Sequence, residues 1–224
     1  MRALRHVVPG PLRDYLAVPF PPLDTPLDEL PLLAVDIETT GLDPDTDRVL
    51  SIGWVPVDGR AITLSGCRRV VVRDGQDVGQ SATVHGLTDD VLASGEPMAD
   101  AVARLLHDLT GRVLLAHFAR IEKEFLSRAC QRAWGAALPC AAVDTFVLER
   151  RALEGRAHAG HWGGEPEPGA LRLWAARERR GLPVYRAHEA LVDALACAEL
   201  YLAQRAELEA RAPKTTLTLR HVVA

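Results

Sequence analysis

Lysine is nearly absent from this 224-residue chain: it occurs only at Lys123 and Lys214, and arginine supplies the other 24 of the 26 basic residues. That skew fits genomic composition as readily as phosphate recognition, so it decides nothing alone. Basic charge as a whole is also short, with 26 Lys+Arg against 30 Asp+Glu and a net charge of −4. This argues against coating of nucleic acid through a broad basic face. Cysteine is scarce and scattered: Cys67, Cys130, Cys140 and Cys197 form no C-x-x-C pair and read as reduced core thiols. No apolar run approaches the roughly 18–20 residues of a membrane helix. The opening MRALRHVVPGPLRDYL has no apolar h-region or small-residue cleavage site. Neither a membrane span nor a secretory signal is expected, and the chain is assigned to the cytoplasm. There is no internal repeat and no low-complexity block.

What is present suits one sizeable folded domain, since 48% of residues are hydrophobic and 25% charged. Seven of the fifteen prolines fall in residues 1–31, where fixed φ and missing donors exclude regular helix or central strand. This stretch reads as an extended lead-in wrapped on the domain surface, with a short helical turn near residues 12–16. The domain proper is read as 32–208. Strands are expected at 32–37, 49–57 and 61–72, the last two joined by the Asp58-Gly59 turn signal. A helix at 97–110 stops at Gly111; a strand at 112–117 and a helix at 121–134 follow. A strand at 141–144 leads into a helix at 145–153, residues 154–169 form a Gly-, Pro- and His-rich loop, and helices span 170–180 and about 189–208. The tail, 209–224, adds an edge strand or docks on a neighbour. This order describes a mixed sheet covered by helices, an α/β domain.

Three clusters carry chemistry. In Asp36-Ile37-Glu38-Thr39-Thr40-Gly41-Leu42, alternation at a strand end puts the Asp36 and Glu38 carboxylates on one face. A fold tolerates such a pair mainly when a cation neutralises it, and hard oxygen donors favour Mg²⁺ or Mn²⁺ over Zn²⁺. A bare Asp-x-Glu equally suits a solvated strand end. In His188-Glu189-Ala190-Leu191-Val192-Asp193, five residues separate the His and Asp by about 140° on a helix. Both reach one point only if His188 precedes the helix and Asp193 lies one turn inside; alone, His188 also reads as a surface histidine. In His117-Phe118-Ala119-Arg120-Ile121-Glu122, Glu122 adds a third acid at the same sheet edge, or a partner for the helix dipole.

In this order and spacing the clusters resemble the DEDDh branch of the DEDD 3′–5′ exonucleases, which includes the epsilon proofreading subunit of bacterial DNA polymerase III, ribonuclease T and oligoribonuclease. DIETTGL resembles the first family motif and HEALVDA the third. Val84-His85-Gly86-Leu87-Thr88 looks like the family's HGIT segment, and Val143-Asp144-Thr145 like its DT strand end. The resemblance implies a ribonuclease H-like fold, a mixed five-stranded sheet flanked by helices. One departure stands out: the second motif usually reads His-Asn-Ala-x-Phe-Asp, whereas here Phe118 replaces Asn, Ile121 replaces Phe and Glu122 replaces Asp. Glu keeps the charge at one methylene more length. Phe118 offers a stacking face, or simply packs under the site.

By resemblance, Asp36, Glu38 and Asp193 hold one divalent cation, Glu122 supports a second, and His188 is the general base. The implied substrates are single-stranded DNA or RNA 3′ ends, with DNA favoured, and the implied product is a nucleoside 5′-monophosphate. Thr39, Thr40, Gly41, Leu42, Gln80, His85, His117 and Phe118 are the implied substrate contacts. Polymerase association or a homodimer is the implied assembly. Other readings are an oligoribonuclease or dinucleotide phosphodiesterase on the same fold, and a catalytically weakened end-binding module. His158, His161, Glu165 and Glu167 suit a solvated insertion better than a zinc site. Trp54, Trp134 and Trp174 are read as core, with Trp162 in the loop. An acidic excess concentrated in Asp36, Glu38, Glu122 and Asp193 is compatible with a nucleic-acid enzyme of small footprint.

Overall fold

The structure, a computed structural model, describes residues 7–73, 89–158 and 167–224. Nine residues of near-continuous apolar sequence make β1 (Pro31–Thr39), which is central to the sheet because both of its faces are buried. It pairs antiparallel with β2 (Val49–Asp58) and parallel with β5 (Val113–Ala116), which in turn pairs parallel with β6 (Ala142–Asp144). The outer edge of β2 carries two short strands, β3 (Ala61–Ile62) and β4 (Arg68–Val71).

The sheet thus has six strands where five were expected. The difference lies in residues 61–72, read from the sequence as one strand. Pro56 of β2 accepts from Thr63 N–H at 2.9 Å but has no N–H to return, so the ladder stops opposite it. Pairing resumes on one side at Val57↔Ile62 and on the other at Trp54↔Arg68. A 3-10 turn, Leu64–Gly66, fills the gap, and β3 and β4 share one edge of the sheet.

Alternation along β1 divides the core between two faces. Leu33, Val35 and Ile37 face α1 (Pro11–Ala17), α3 (Met98–Leu109) and α4 (Arg120–Trp134). Leu32 and Ala34 face α7 (Ala190–Arg211) and the tail. Small side chains on α7 (Ala190, Ala194, Cys197 and Ala198), all buried, let this 22-residue helix lie close on β1 and β2. Between these elements fall α2 (Asp89–Ala93), α5 (Thr145–His158) and α6 (Leu173–Glu178). Helix α2 lies in a region given no element from the sequence, α5 runs five residues past the expected end at 153, and α6 is shorter than the expected 170–180.

The lead-in is more than a surface wrap. Pro11 sits at the start of α1, where its missing N–H costs nothing, and Leu12 and Tyr15 are fully buried in the core. The tail adds no strand of its own to the sheet edge, but meets β6 through one antiparallel bridge, Val223 with Val143. It ends in a short helix, α8 (Leu219–Val222), whose Leu219 and Val222 are buried. Lead-in and tail hold each other: Leu27 N–H donates to Leu217 O at 3.0 Å and Leu219 N–H to Thr25 O at 3.0 Å. Buried Arg205 of α7 locks the junction, donating to the Leu27 and Gly59 carbonyls and pairing with Asp28 and Glu209. Trp54 is fully buried as expected, its Nε1–H donating to Asp108 at 2.8 Å, while Trp134 and Trp174 are partly buried.

Candidate active site

Asp36 and Glu38 stand at the C-terminal end of β1 and share a face, as their spacing requires. Asp193, in the first turn of α7, joins them, and one carboxylate oxygen from each of the three lies within 4.8 Å of the other two.

A glycine lets Asp193 come so near. Gly53 pairs with Asp36 across β1–β2 and with Arg69 across β2–β4. A Cβ on Gly53 would stand 2.2 Å from both the Ala190 carbonyl carbon and the Leu191 nitrogen. Only a residue without a side chain lets the helix start rest on the strand here. From β4, Arg69 reaches Glu189, the residue before the helix, with Nε 3.2 Å from Oε1. His188 precedes Glu189, outside the helix as the five-residue spacing demands. It is exposed and has left-handed backbone, φ 66°.

Glu122 enters from the opposite face of the sheet, two residues into α4, and is 4% exposed. It is not a member of the 4.8 Å set, yet its charge is the largest carboxylate contribution to Asp36. Asp144 at the end of β6 holds the turn into α4. Its Oδ1 accepts from the Phe118 and Phe146 N–H groups, each at 2.9 Å, and its Oδ2 accepts from Ala119 N–H at 3.0 Å. Phe118 is left-handed, φ 68°, and those bonds pin it there. The residue is 39% exposed, and its ring packs edge-on to Phe146 at 5.2 Å with the Arg120 guanidinium 5.8 Å from its centroid.

His117, expected at the substrate, has both ring nitrogens engaged by the protein. Nε2 lies 2.9 Å from Leu171 O, which can only accept, so Nε2 donates. Burial pushes the imidazole down to about 4, so the ring is neutral, and Nδ1 lies 2.9 Å from Thr145 Oγ1, whose hydroxyl also donates to Ala116 O at 3.2 Å.

The loop after β1 is closed on itself. Thr40 N–H donates to Arg48 O at 2.9 Å, and Thr40 Oγ1 accepts from Arg48 N–H at 3.0 Å while donating to Asp47 Oδ1 at 3.1 Å. Thr39 Oγ1 donates to Gly41 O at 2.6 Å. A Cβ on Gly41 would collide with the Asp47 carboxylate at 2.4 Å. Leu42, 73% exposed, projects from this loop. Gln80, His85 and the rest of 84–88 lie outside the described residues, as do His161, Trp162 and Glu165.

Burial is the first cause of every pKa shift in the acidic set. It raises Asp36 well above the carboxylate range, helped by Glu122, Asp193, Glu38 and Glu189. Glu38 rises to about 7, with Asp193 and Glu189 adding to burial and Arg69 opposing, and Glu122 rises to about 8, with Asp144 adding to burial. Asp193 also rises, against the opposing His188 N–H bond and His188 charge. Asp193 Oδ1 and Glu122 Oε2 are buried without a hydrogen-bond partner among the described residues. Crowded acids kept from ionising, with inward oxygens unsatisfied, fit divalent cations, and all-oxygen donors fit Mg²⁺ or Mn²⁺.

The spacing of Asp36, Glu38, His188 and Asp193 was readable in the sequence. Arg69 and Glu189 carried no signal, and Asp144 was matched only as part of a short strand-end signature. Gly53 did carry one, because a glycine inside an apolar strand marks a close backbone approach.

The exonuclease (RNase T) family model matches residues 33–201. A DNA polymerase III subunit epsilon-like protein of Rhodobacter capsulatus is 32% identical over 193 residues, covering 84% of this chain and 25% of that protein. The DNA polymerase III subunit epsilon of Treponema pallidum is 28% identical over 168 residues, covering 75% of this chain and 73% of that one. The chain spans only 12% of the PolC-type DNA polymerase III of Thermotoga maritima, to which it is 24% identical over 180 residues. Among solved structures, E. coli exonuclease I bound to single-stranded DNA superposes with a TM-score of 0.65 at 17% identity, over 83% of this chain and 42% of that one. Exonuclease X bound to 5′-overhanging duplex DNA gives 0.60 at 20% identity, over 85% of this chain and 98% of that one. Those two likenesses speak for the fold, a mixed sheet flanked by helices of the ribonuclease H-like kind. Among the described residues no helix is long and apolar enough to cross a membrane. A family model matched from β1 into α7, through all three acidic segments, is the ground on which this chain belongs to the exonuclease family.

Proposed function

We propose that the chain is a metal-dependent 3′–5′ exonuclease that releases nucleoside 5′-monophosphates from single-stranded 3′ ends, with DNA the favoured substrate. One observation carries this reading: the carboxylates of Asp36, Glu38 and Asp193 converge within 4.8 Å at the foot of the helix that His188 precedes. Those three residues hold one divalent cation, and Glu122 supports a second. Such cations supply charge neutralisation to the attacking and leaving oxygens of a phosphodiester in-line displacement.

The remaining work falls to the chain's own side chains. His188 takes the proton of the attacking water, and its exposure lets it pass that proton to solvent. Thr39, Thr40 and Gly41 present the backbone of a rigid loop to the terminal nucleotide, and Leu42 and Phe118 offer exposed apolar surface to its base. Gln80 and His85 belong to the same proposed substrate contacts by resemblance alone. The relatives' names support a setting beside DNA polymerase III.

The test is incubation with Mn²⁺ or Mg²⁺ and 5′-labelled single-stranded DNA, single-stranded RNA or a dinucleotide. A ladder shortened from the 3′ end with mononucleotide product is expected, fastest on DNA. Cleavage confined to the dinucleotide would replace this reading with the oligoribonuclease one, and binding without cleavage would replace it with an end-binding module.

A further inference from the structure

We propose that an arginine-lined groove behind the residue 40–48 loop is a second binding site for the substrate strand, taking nucleotides upstream of the 3′ end; this rests on the exonuclease reading above. The groove, about 360 Å³, lies between that loop, the end of β4, the start of α3 and one face of α4. Met98 and Phe125 lie on its apolar side, and Arg48, Arg73, Arg128 and Arg132 line it.

Charge selects the occupant. Among the described residues, Asp47 is the carboxylate in the groove's lining, and Asp45 meets it through Arg128. Asp47 is turned into its own loop, accepting from Thr40 Oγ1 and Asp43 N–H, and Asp45 is paired with Arg128. In a chain of net charge −4, Arg73 and Arg132 bond the neutral carbonyls of Gly95 and Asp45 and so bring cationic charge beside apolar surface. Phosphates with attached bases match that combination.

Position points the same way. Phe125 lies three residues after Glu122 on α4, about one helical turn, and Arg132 about 15 Å along the same helix. Arg48 is hydrogen-bonded through its backbone to Thr40, two residues beyond Glu38. Even at the stacked spacing of roughly 3.4 Å per nucleotide, a strand with its 3′ end at the carboxylates reaches Arg132 within about four to five nucleotides.

The experiment uses the full chain. Anisotropy of a 5′-labelled single-stranded 12-mer is followed in EDTA across a salt series, and kcat/KM with Mn²⁺ is compared for the 12-mer and a dinucleotide. In an Arg128→Ala/Arg132→Ala double variant, 12-mer binding should weaken by about tenfold and the log–log salt slope should fall by about 1.4, two phosphate contacts at about 0.7 each. The 12-mer to dinucleotide ratio of kcat/KM should fall by a similar factor. Asp45→Ala breaks the same ion pair but leaves both arginines, and it should keep or tighten 12-mer binding. An unchanged salt slope in the double variant, or an equal loss of binding in Asp45→Ala, overturns the groove. Competition by polyglutamate at the same affinity as the 12-mer overturns its assignment to nucleic acid. If the native chain cleaves neither substrate, the exonuclease reading fails and the anisotropy series judges the groove independently.

Discussion

The backbone N–H of His188 donates to Oδ2 of Asp193 at 3.0 Å. A proposed general base and a proposed metal ligand are thereby tied through main chain rather than through the imidazole. The bond holds His188 in the left-handed region, which costs a non-glycine residue on the order of 1–3 kcal/mol. It leaves the ring outside the helix and exposed to solvent.

Asn tolerates left-handed backbone better than most residues. His188→Asn should therefore keep the fold while losing the base. A drop of about 10²–10⁴ in kcat is expected, with thermal midpoint and Mn²⁺ affinity nearly unchanged. A variant retaining the native pH–rate profile would remove His188 from the proton transfer.

Asp36 faces the other three acids of the set. Asp36→Asn should abolish metal-dependent release of mononucleotides from a labelled oligomer. The same change should raise the melting temperature of the metal-free protein, because it removes a partly buried acid repelled by Glu122, Asp193 and Glu38. Retained hydrolysis in this variant would defeat the two-cation scheme.

Gly53→Ala places a methyl carbon 2.2 Å from the backbone of Ala190 and Leu191, where no rotamer can relieve it. We expect at least about 1–3 kcal/mol of destabilisation in urea, together with loss of activity as the first turn of α7 is displaced. Pro56→Ala in the same strand is the comparison: any loss of stability there should leave activity in place. Full activity in Gly53→Ala would show that Asp193 does not depend on this approach.

Glu38 and Glu122 sit at about 7 and about 8 in the folded protein, against about 4.3 for an unfolded glutamate. Between those limits the folded state binds more protons than the unfolded chain, so stability falls as pH rises. This contribution is full below about pH 4 and lost as pH passes 7–8. In EDTA the melting temperature should decline from pH 5 to 8.5, and Mn²⁺ at pH 8.5 should restore it. A flat profile in EDTA would mean that the carboxylates are not crowded as described.

Local chemistry already present in the chain explains how much was legible before folding. Alternation along 32–38 makes a strand with both acids on one face, and the five-residue spacing of His188 and Asp193 demands a helix that begins between them. Both are consequences of fixed backbone periods, 2.0 and 3.6, which need no knowledge of neighbours. Pro56 was equally visible, yet its effect required its partner: a missing N–H breaks a strand only where another strand lies opposite, so one strand became β3 and β4.

Long-range contact settled the rest. Arg69 and Glu189 are 120 residues apart, and nothing local marks either as belonging to the site. Asp144 fixes the helix carrying Glu122 only because β5 and β6 lie side by side, Ala116 against Asp144. The proline-rich lead-in, a surface wrap when read alone, becomes core because Leu12 and Tyr15 find α3 and α4 beneath them. Periodicity sets which face of an element a residue occupies. What that face meets, how far it is desolvated and how far its acids are pushed from their ordinary pKa are properties of packing between distant segments, and these emerge only when the chain is folded.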